Sequence, residues 1–244
     1  MTLLLWLYYT MGFVLLFSPL YLTAALFAEN RERAFQRLNH RFYRGFFRLL
    51  RRLIPGVRWS IDEAVSGIRS AIVVCNHISY LDSILMISLF ERQRTVVKNR
   101  FFNFPIFRQV IKTSGYIPAG AEGHLTELVW QRVEEIEDFF SDGGILFVFP
   151  EGTRIRDGTL GKFNTGVFKI ARLTQRSIRV LFIENTDRLF TPGRFLFDSG
   201  FDGTIRVELL ADIEVGRHDG RLSVADAVLK VRSLLASRQC SGRP

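Results

Sequence analysis

The pattern of apolar and polar positions divides the chain near residue 30. Residues 3–28 contain no charged side chain, a run longer than the roughly 20 apolar residues that cross a hydrocarbon core. Ser18-Pro19 interrupts it. Proline cannot donate its amide, so the break predicts either one kinked spanning helix or two half-helices dipping into one leaflet. From Arg31 the period becomes helical. Arg37, Arg41, Arg44, Arg48 and Arg51 share one face, and Leu38, Phe42, Phe46, Leu49 and Leu53 share the opposite one. Such a helix lies in the headgroup plane with its apolar side down, or docks on a protein core as a surface helix. Pro55-Gly56 ends it.

Beyond residue 57 strand and helix patterns alternate. Strands are expected at 70–76, 94–99, 143–149, 178–185 and 204–215. Helices are expected at 81–90, 101–113 (broken near Pro105), 122–141, 164–173 and 223–237, the last opened by Ser223 and Asp226 in a capping box. This order predicts an α/β fold, a sandwich with a mostly parallel sheet. The organisation expected is a hydrophobic membrane segment at 1–30, a basic amphipathic interfacial helix at 31–56, one catalytic domain at 57–237 and a disordered tail at 238–244.

Charge changes the picture by naming a partner. A formal charge of +9, carried mainly by arginine, calls for a membrane surface, a nucleic acid or a phosphorylated ligand. The adjoining uncharged run favours membrane phospholipids, and no nucleic-acid module is recognisable. Arginines directly after that run place the remainder on the cytoplasmic side, so the inner (cytoplasmic) membrane is the expected location. Cys75 and Cys240 form no disulfide framework or metal-ligand spacing, which suits a reducing compartment and no metal.

Two strand ends carry chemistry-bearing residues, and in α/β sheets ligands gather at such ends. After SAIVVC comes Asn76-His77-Ile78-Ser79-Tyr80-Leu81-Asp82. Ser79 and Asp82 fit a helix capping box. Asn76 and His77 are not explained by capping, whereas a His77 general base oriented by Asp82 uses the histidine directly. Spacing alone leaves both readings open. After GGILFV comes Phe149-Pro150-Glu151-Gly152-Thr153-Arg154, an acid, a glycine turn, a hydroxyl and a guanidinium suited to phosphate.

Together NHISYLD and FPEGTR resemble the first and third motifs of the glycerolipid acyltransferase family, the PlsC-like 1-acylglycerol-3-phosphate acyltransferases. The resemblance runs from about residue 35 to 236 and includes Lys98 and the stretch FNTGVFKIA at 163–171. It implies a glycerol-3-phosphate-acyltransferase-like sandwich behind a helical membrane anchor. It also implies transfer of an acyl group from acyl-CoA or acyl-carrier protein, a co-substrate rather than a cofactor, to a lysolipid acceptor in phospholipid biosynthesis. His77 and Asp82 would be catalytic, and Glu151, Gly152, Thr153, Arg154 and Lys162 would form the acceptor and phosphate site. Asn76, Ser79 and Lys98 would support them. A Cys75–His77 nucleophile is a formal alternative.

The chain departs from the family pattern at the second motif, where Gly115–Ala121 has neither the aspartate nor the phosphate-gripping arginine. Losing one charge-assisted contact costs about 1.5–3 kcal/mol unless Arg154, Arg156 or Lys162 substitutes. The leading expectation is therefore phosphatidate formation from lysophosphatidate. The alternative is another lyso-acceptor, such as a lysophospholipid or a lyso-aminolipid like lyso-ornithine lipid. A non-catalytic lipid-binding protein of the same fold leaves both intact motifs unexplained.

Overall fold

The computed structural model describes residues 1–120, 123–152, 160–216 and 222–241. Its N-terminal apolar segment is helical throughout, as α1 (Thr2–Leu7), a π-helical stretch (Tyr8–Phe17) and α2 (Ser18–Phe27). Pro19 sits in the first turn of α2, the Ser18 hydroxyl donates to the Val14 carbonyl, and the backbone stays right-handed across Phe17 and Ser18. Next come α3 (Arg31–Leu53), β1 (Val57–Ile61), α4 (Glu63–Ser66), β2 (Ala71–Cys75), α5 (Leu81–Leu89) and β3 (Gln93–Val97). A 3-10 turn (Asn99–Asn103) leads to α6 (Pro105–Thr113), β4 (Ile117–Pro118) and a second such turn (Gly123–Leu125). The described chain continues with α7 (Thr126–Glu134), α8 (Ile136–Ser141), β5 (Ile145–Val148) and α9 (Gly166–Thr174). It closes with β6 (Ile178–Glu184), α10 (Thr186–Leu189), β7 (Gly203–Ile213) and α11 (Val224–Ser241).

The strands form one mixed sheet in the order β1-β7-β6-β2-β5-β3-β4. The strands from β6 to β4 run parallel, while β7 opposes β6 and carries β1 parallel to itself. The expected mostly parallel α/β sandwich is what the chain forms. β2 and β5 are continuous apolar strands buried along their whole length, as strands covered on both faces must be. Phe46, Phe47, Leu85, Met86 and Phe102 cover one face of the sheet. Phe139, Phe140, Phe168, Val231 and Leu235 cover the other.

The interfacial reading of α3 needs correcting. Its side opposite the arginines is not left for lipid: Phe35, Phe42 and Phe46 are buried in protein contacts. The N-terminal helix covers them, with Tyr8 stacked on Phe42 at 5.2 Å and Tyr21 against Phe35 at 5.0 Å. On the flank of α3 toward the core, Gln36 and Asn39 donate to the Ser114 carbonyl and hydroxyl, and His40 meets Ile87. The buried stripe is too wide for a helix lying on a bilayer. Arg37, Arg41, Arg44, Arg48 and Arg51 do remain exposed. The outward apolar surface belongs to the N-terminal helix, through Leu3, Leu7, Leu15, Leu16, Leu22 and Leu26.

Both ends of that hairpin are fixed. Glu32 accepts bonds from Arg92, Arg94 and Arg132, and Arg94 and Arg132 also reach Glu135. Glu135 is where the helix expected over 122–141 divides into α7 and α8. At the other end, Trp6 donates to the Phe195 carbonyl and the Phe197 amide donates to the Thr2 hydroxyl. The expected tail is also corrected: α11 continues to Ser241 because Arg238 pairs with Glu184 and Glu208. Residues 242–244 lie outside the described chain.

His40 gives this packing a pH signature. Its Nδ1 lies 3.0 Å from the Ile87 carbonyl, so that nitrogen carries the proton and donates. Burial pushes its pKa below 6.5, against the pull of the Ile87 carbonyl and with a smaller contribution from Arg44. The unfolded chain therefore takes up this proton first as pH falls, and the stabilisation present above about 6.5 is lost below it. Urea unfolding in detergent between about pH 7 and pH 5 should show a steeper loss for the wild type than for His40→Gln. Equal slopes would refute the assignment.

Candidate active site

The site begins where β2 leaves the sheet. At that point Asn76 replaces main-chain pairing with its side chain: its amide donates to the Ile183 carbonyl at 2.8 Å and accepts from the Ile183 N–H at 2.7 Å. This clamps β2 to β6 just as the ladder ends. Asn76 thus has a structural use at this strand end that the spacing did not disclose. The next residue, His77, is free to turn out of the sheet edge.

Its imidazole is held from two sides. Nδ1 lies 2.9 Å from Asp82 Oδ2, and the ring stacks on Phe149 at 4.2 Å and 22°. A carboxylate only accepts, so Nδ1 carries the proton and Nε2 carries the lone pair. Nε2 has no hydrogen-bond partner among the described residues. Asp82, at 0% exposure, accepts further bonds from the Ile78 and Ser79 amides at 2.7 Å each and from the Thr186 hydroxyl at 2.5 Å. Four donors thus surround this carboxylate in a position closed to water.

The capping box is half formed. Asp82 takes the Ser79 N–H, but the Ser79 hydroxyl accepts from Leu81 and donates to the Phe190 carbonyl, while the Asp82 N–H goes to the Ser79 carbonyl. Ser79 therefore ties the start of α5 to the segment after α10. Thr186 was not legible in the sequence. It stands just past the end of β6, the strand on the far side of β2 from β5, and no local pattern sets it apart.

The residues that open FPEGTR lie on the neighbouring strand end, since β5 pairs parallel with β2. Phe149 to Gly152 form a turn closed by the Gly152 N–H on the Phe149 carbonyl, with Gly152 at φ +63°, a conformation that favours glycine. Glu151 Oε2 accepts from the Gly161 N–H at 3.2 Å, and Oε1 is buried without a partner among the described residues. Burial pushes the Glu151 pKa up, offset in part by the Gly161 N–H and Arg232. Thr153 and Arg154 lie outside the described residues. Lys162 is exposed beside the buried Phe163, and Lys98 is exposed at the end of β3, one strand beyond β5. Neither reaches the His77–Asp82 pair through a hydrogen bond or ion pair.

Cys75 is fully buried in the apolar cluster, and burial, with the Asp82 charge adding to it, pushes its thiol well above the ordinary range. It stays a thiol, so a Cys75–His77 nucleophile has no footing. Among the described residues no three His, Cys, Asp or Glu side chains gather as a metal site.

A proton-accepting imidazole, backed by a buried acid beside a glycine turn, is an arrangement for activating a hydroxyl. Residues 56–183 match the family model described as Acyltransferase. The chain belongs to the acyltransferase family. It is 26% identical over 133 residues to a chloroplastic 1-acyl-sn-glycerol-3-phosphate acyltransferase of Arabidopsis thaliana, covering 54% of this chain and 37% of that protein. A 1-acyl-sn-glycerol-3-phosphate acyltransferase of Borreliella burgdorferi is 27% identical over 153 residues, covering 62% of this chain and 60% of its own. The chain thus spans well under half of the Arabidopsis relative and of a similar Brassica napus protein, 37% and 38% of their lengths. Its fold is that of PlsC, the 1-acyl-sn-glycerophosphate (LPA) acyltransferase of Thermotoga maritima. The two align with a TM-score of 0.72 at 20% identity, over 100% of this chain and 95% of that one.

Within this acyltransferase domain, Thr186→Val removes one of the four donors to Asp82 at nearly constant volume. Losing a bond to a buried charge costs about 1.5–3 kcal/mol. Turnover should fall on the order of tenfold with KM unchanged, and Thr186→Ser should restore it. A Thr186→Val enzyme with full turnover would show that Asp82 needs no help from β6.

Proposed function

We propose that this chain is a membrane-associated O-acyltransferase. It transfers a fatty acyl group from acyl-CoA or acyl-carrier protein to the free hydroxyl of 1-acylglycerol-3-phosphate and so forms phosphatidate. The observation that carries this reading is the His77 Nδ1–Asp82 Oδ2 bond of 2.9 Å, which commits one ring nitrogen and leaves Nε2 as the base. The Arabidopsis and Borreliella relatives, both 1-acyl-sn-glycerol-3-phosphate acyltransferases, supply the substrate class.

In this mechanism Nε2 takes the acceptor hydroxyl proton as its oxygen attacks the thioester carbonyl carbon. Asp82 stabilises the imidazolium that results. The tetrahedral oxyanion then collapses, the carbon–sulfur bond breaks, and the leaving thiolate takes the proton from Nε2. No acyl-enzyme forms. Glu151, Gly152, Thr153 and Arg154 shape the acceptor site, with Arg154 and Lys162 serving its phosphate. In this reading the uncharged helix Thr2–Phe27 anchors the domain, and the arginines that follow it support a location on the cytoplasmic side of the inner membrane.

A second reading, a different lyso-acceptor, rests on one observation. The second-motif stretch offers no cation, and Tyr116 and Ile117 within it are buried. Purified protein given labelled donor and a panel of lysolipids separates the two readings. Lysophosphatidate should be acylated, and His77→Ala should lose about 10²–10⁴-fold in rate. Acylation of a neutral or amino headgroup in preference to lysophosphatidate would favour the second reading. Full activity of His77→Ala would end both.

A further inference from the structure

A second surface of this molecule carries exposed apolar side chains among cations. Between Glu91 and Glu122 the sequence holds no acid. Arg92 and Arg94 are spent in the network around Glu32, but Lys98, Arg100, Arg108 and Lys112 are all exposed, and none has an acidic partner among the described residues. Among them stand Phe101, Phe104 and Phe107, at 36%, 52% and 43% exposure. Phe101 and Phe104 lie 6.2 Å apart, and the Arg100 guanidinium sits over the Phe101 ring at 5.0 Å. Single exposed apolar residues are ordinary, but three phenylalanines within seven positions, ringed by unpaired cations, form a patch.

Two placements say what covers it. The 3-10 turn and α6 follow the C-terminal end of β3, the same sheet edge that carries His77 and the Phe149–Gly152 turn. The far end of α6 meets the N-terminal helix through Asn39, which accepts from the Tyr21 hydroxyl at 2.6 Å and donates to the Ser114 hydroxyl at 2.8 Å. The patch is therefore joined to the helix whose leucines face outward. We propose that residues 98–112 are a second contact with an anionic bilayer, phenylalanines among the acyl chains and cations at the phosphates. This contact sets the His77 edge toward the lipid. Aromatic groups interleaved with arginine and lysine suit that interface. The inference rests on the membrane-associated reading above, through the N-terminal helix.

Two proteins with one exposed cysteine each, in a Cys240→Ser background, test it, one carrying Phe104→Cys and one Leu22→Cys, each labelled there with an environment-sensitive fluorophore; Cys75 is buried and unlabelled. Vesicles of phosphatidylcholine with about 30% phosphatidylglycerol should blue-shift both probes and protect both from an aqueous quencher. A response at position 22 alone would overturn the proposal and leave the N-terminal anchor standing. No response at either position would overturn the anchor reading as well. A response at position 104 to an acidic acyl-carrier protein but not to vesicles would overturn the proposal in favour of a donor-docking surface. Independently, Phe104→Ser/Phe107→Ser in the full chain should lower partition onto the same vesicles roughly fivefold, while the rate on detergent-dispersed acceptor stays unchanged. Unchanged partition would overturn the proposal.

Discussion

A carboxylate removed from water loses several kcal/mol of hydration unless its surroundings replace it, and Asp82 is wholly removed. Its replacements come from three places: the His77 ring, the amides of the turn that follows β2, and a hydroxyl at the end of β6. Each donor requires a different part of the fold to be in position. The turn amides require β2 to stop where it does, which Asn76 enforces by taking over the pairing with Ile183. The hydroxyl requires β6 to lie beside β2, a consequence of parallel pairing between two strands about a hundred residues apart. The site is thus the meeting point of β6, β2 and β5 rather than a feature of one loop.

What the sequence disclosed follows from this geometry. His77 and Asp82 are five positions apart across a single turn, so their pairing was one of two readings that the spacing left open, and the two strand ends announced themselves by apolar runs ending in polar clusters. Thr186 was silent, because nothing local distinguishes a threonine that reaches a carboxylate on another strand from one in solvent. Asn76 drew attention for chemistry and proved to have a pairing role. Five-residue β1 was missed because its partner, β7, lies far along the chain. For α3 the wheel placed the arginines correctly outside, but a wheel cannot say whether the opposite side meets lipid or protein.

The layering that resulted decides which faces of the N-terminal helix stay uncovered. The protein-facing aromatics of the N-terminal helix, Tyr8, Phe13 and Tyr21, are matched to Phe42 and Phe35 on α3, while Leu3, Leu7, Leu15, Leu16, Leu22 and Leu26 look away. Rings meet rings along this seam, where stacking rewards fixed geometry, although Leu5 is buried beside it and Phe27 is exposed. The arginine row of α3 stays solvent-exposed outside this seam.

The fastening of the first turn of the chain gives that layering a further meaning. Thr2 and Trp6 hold the segment at Phe195 and Phe197, Phe197 stacks on Phe190 at 4.5 Å, and the Phe190 carbonyl receives the Ser79 hydroxyl. From Ser79 the next bond is to Asp82. The N-terminal helix is therefore a strut rather than a leash: a few rigid contacts connect its tip to the residue that orients the imidazole. A leash could be exchanged for any other tether of the same length. A strut cannot, because where the helix tip sits bears, contact by contact, on where Asp82 and the imidazole sit.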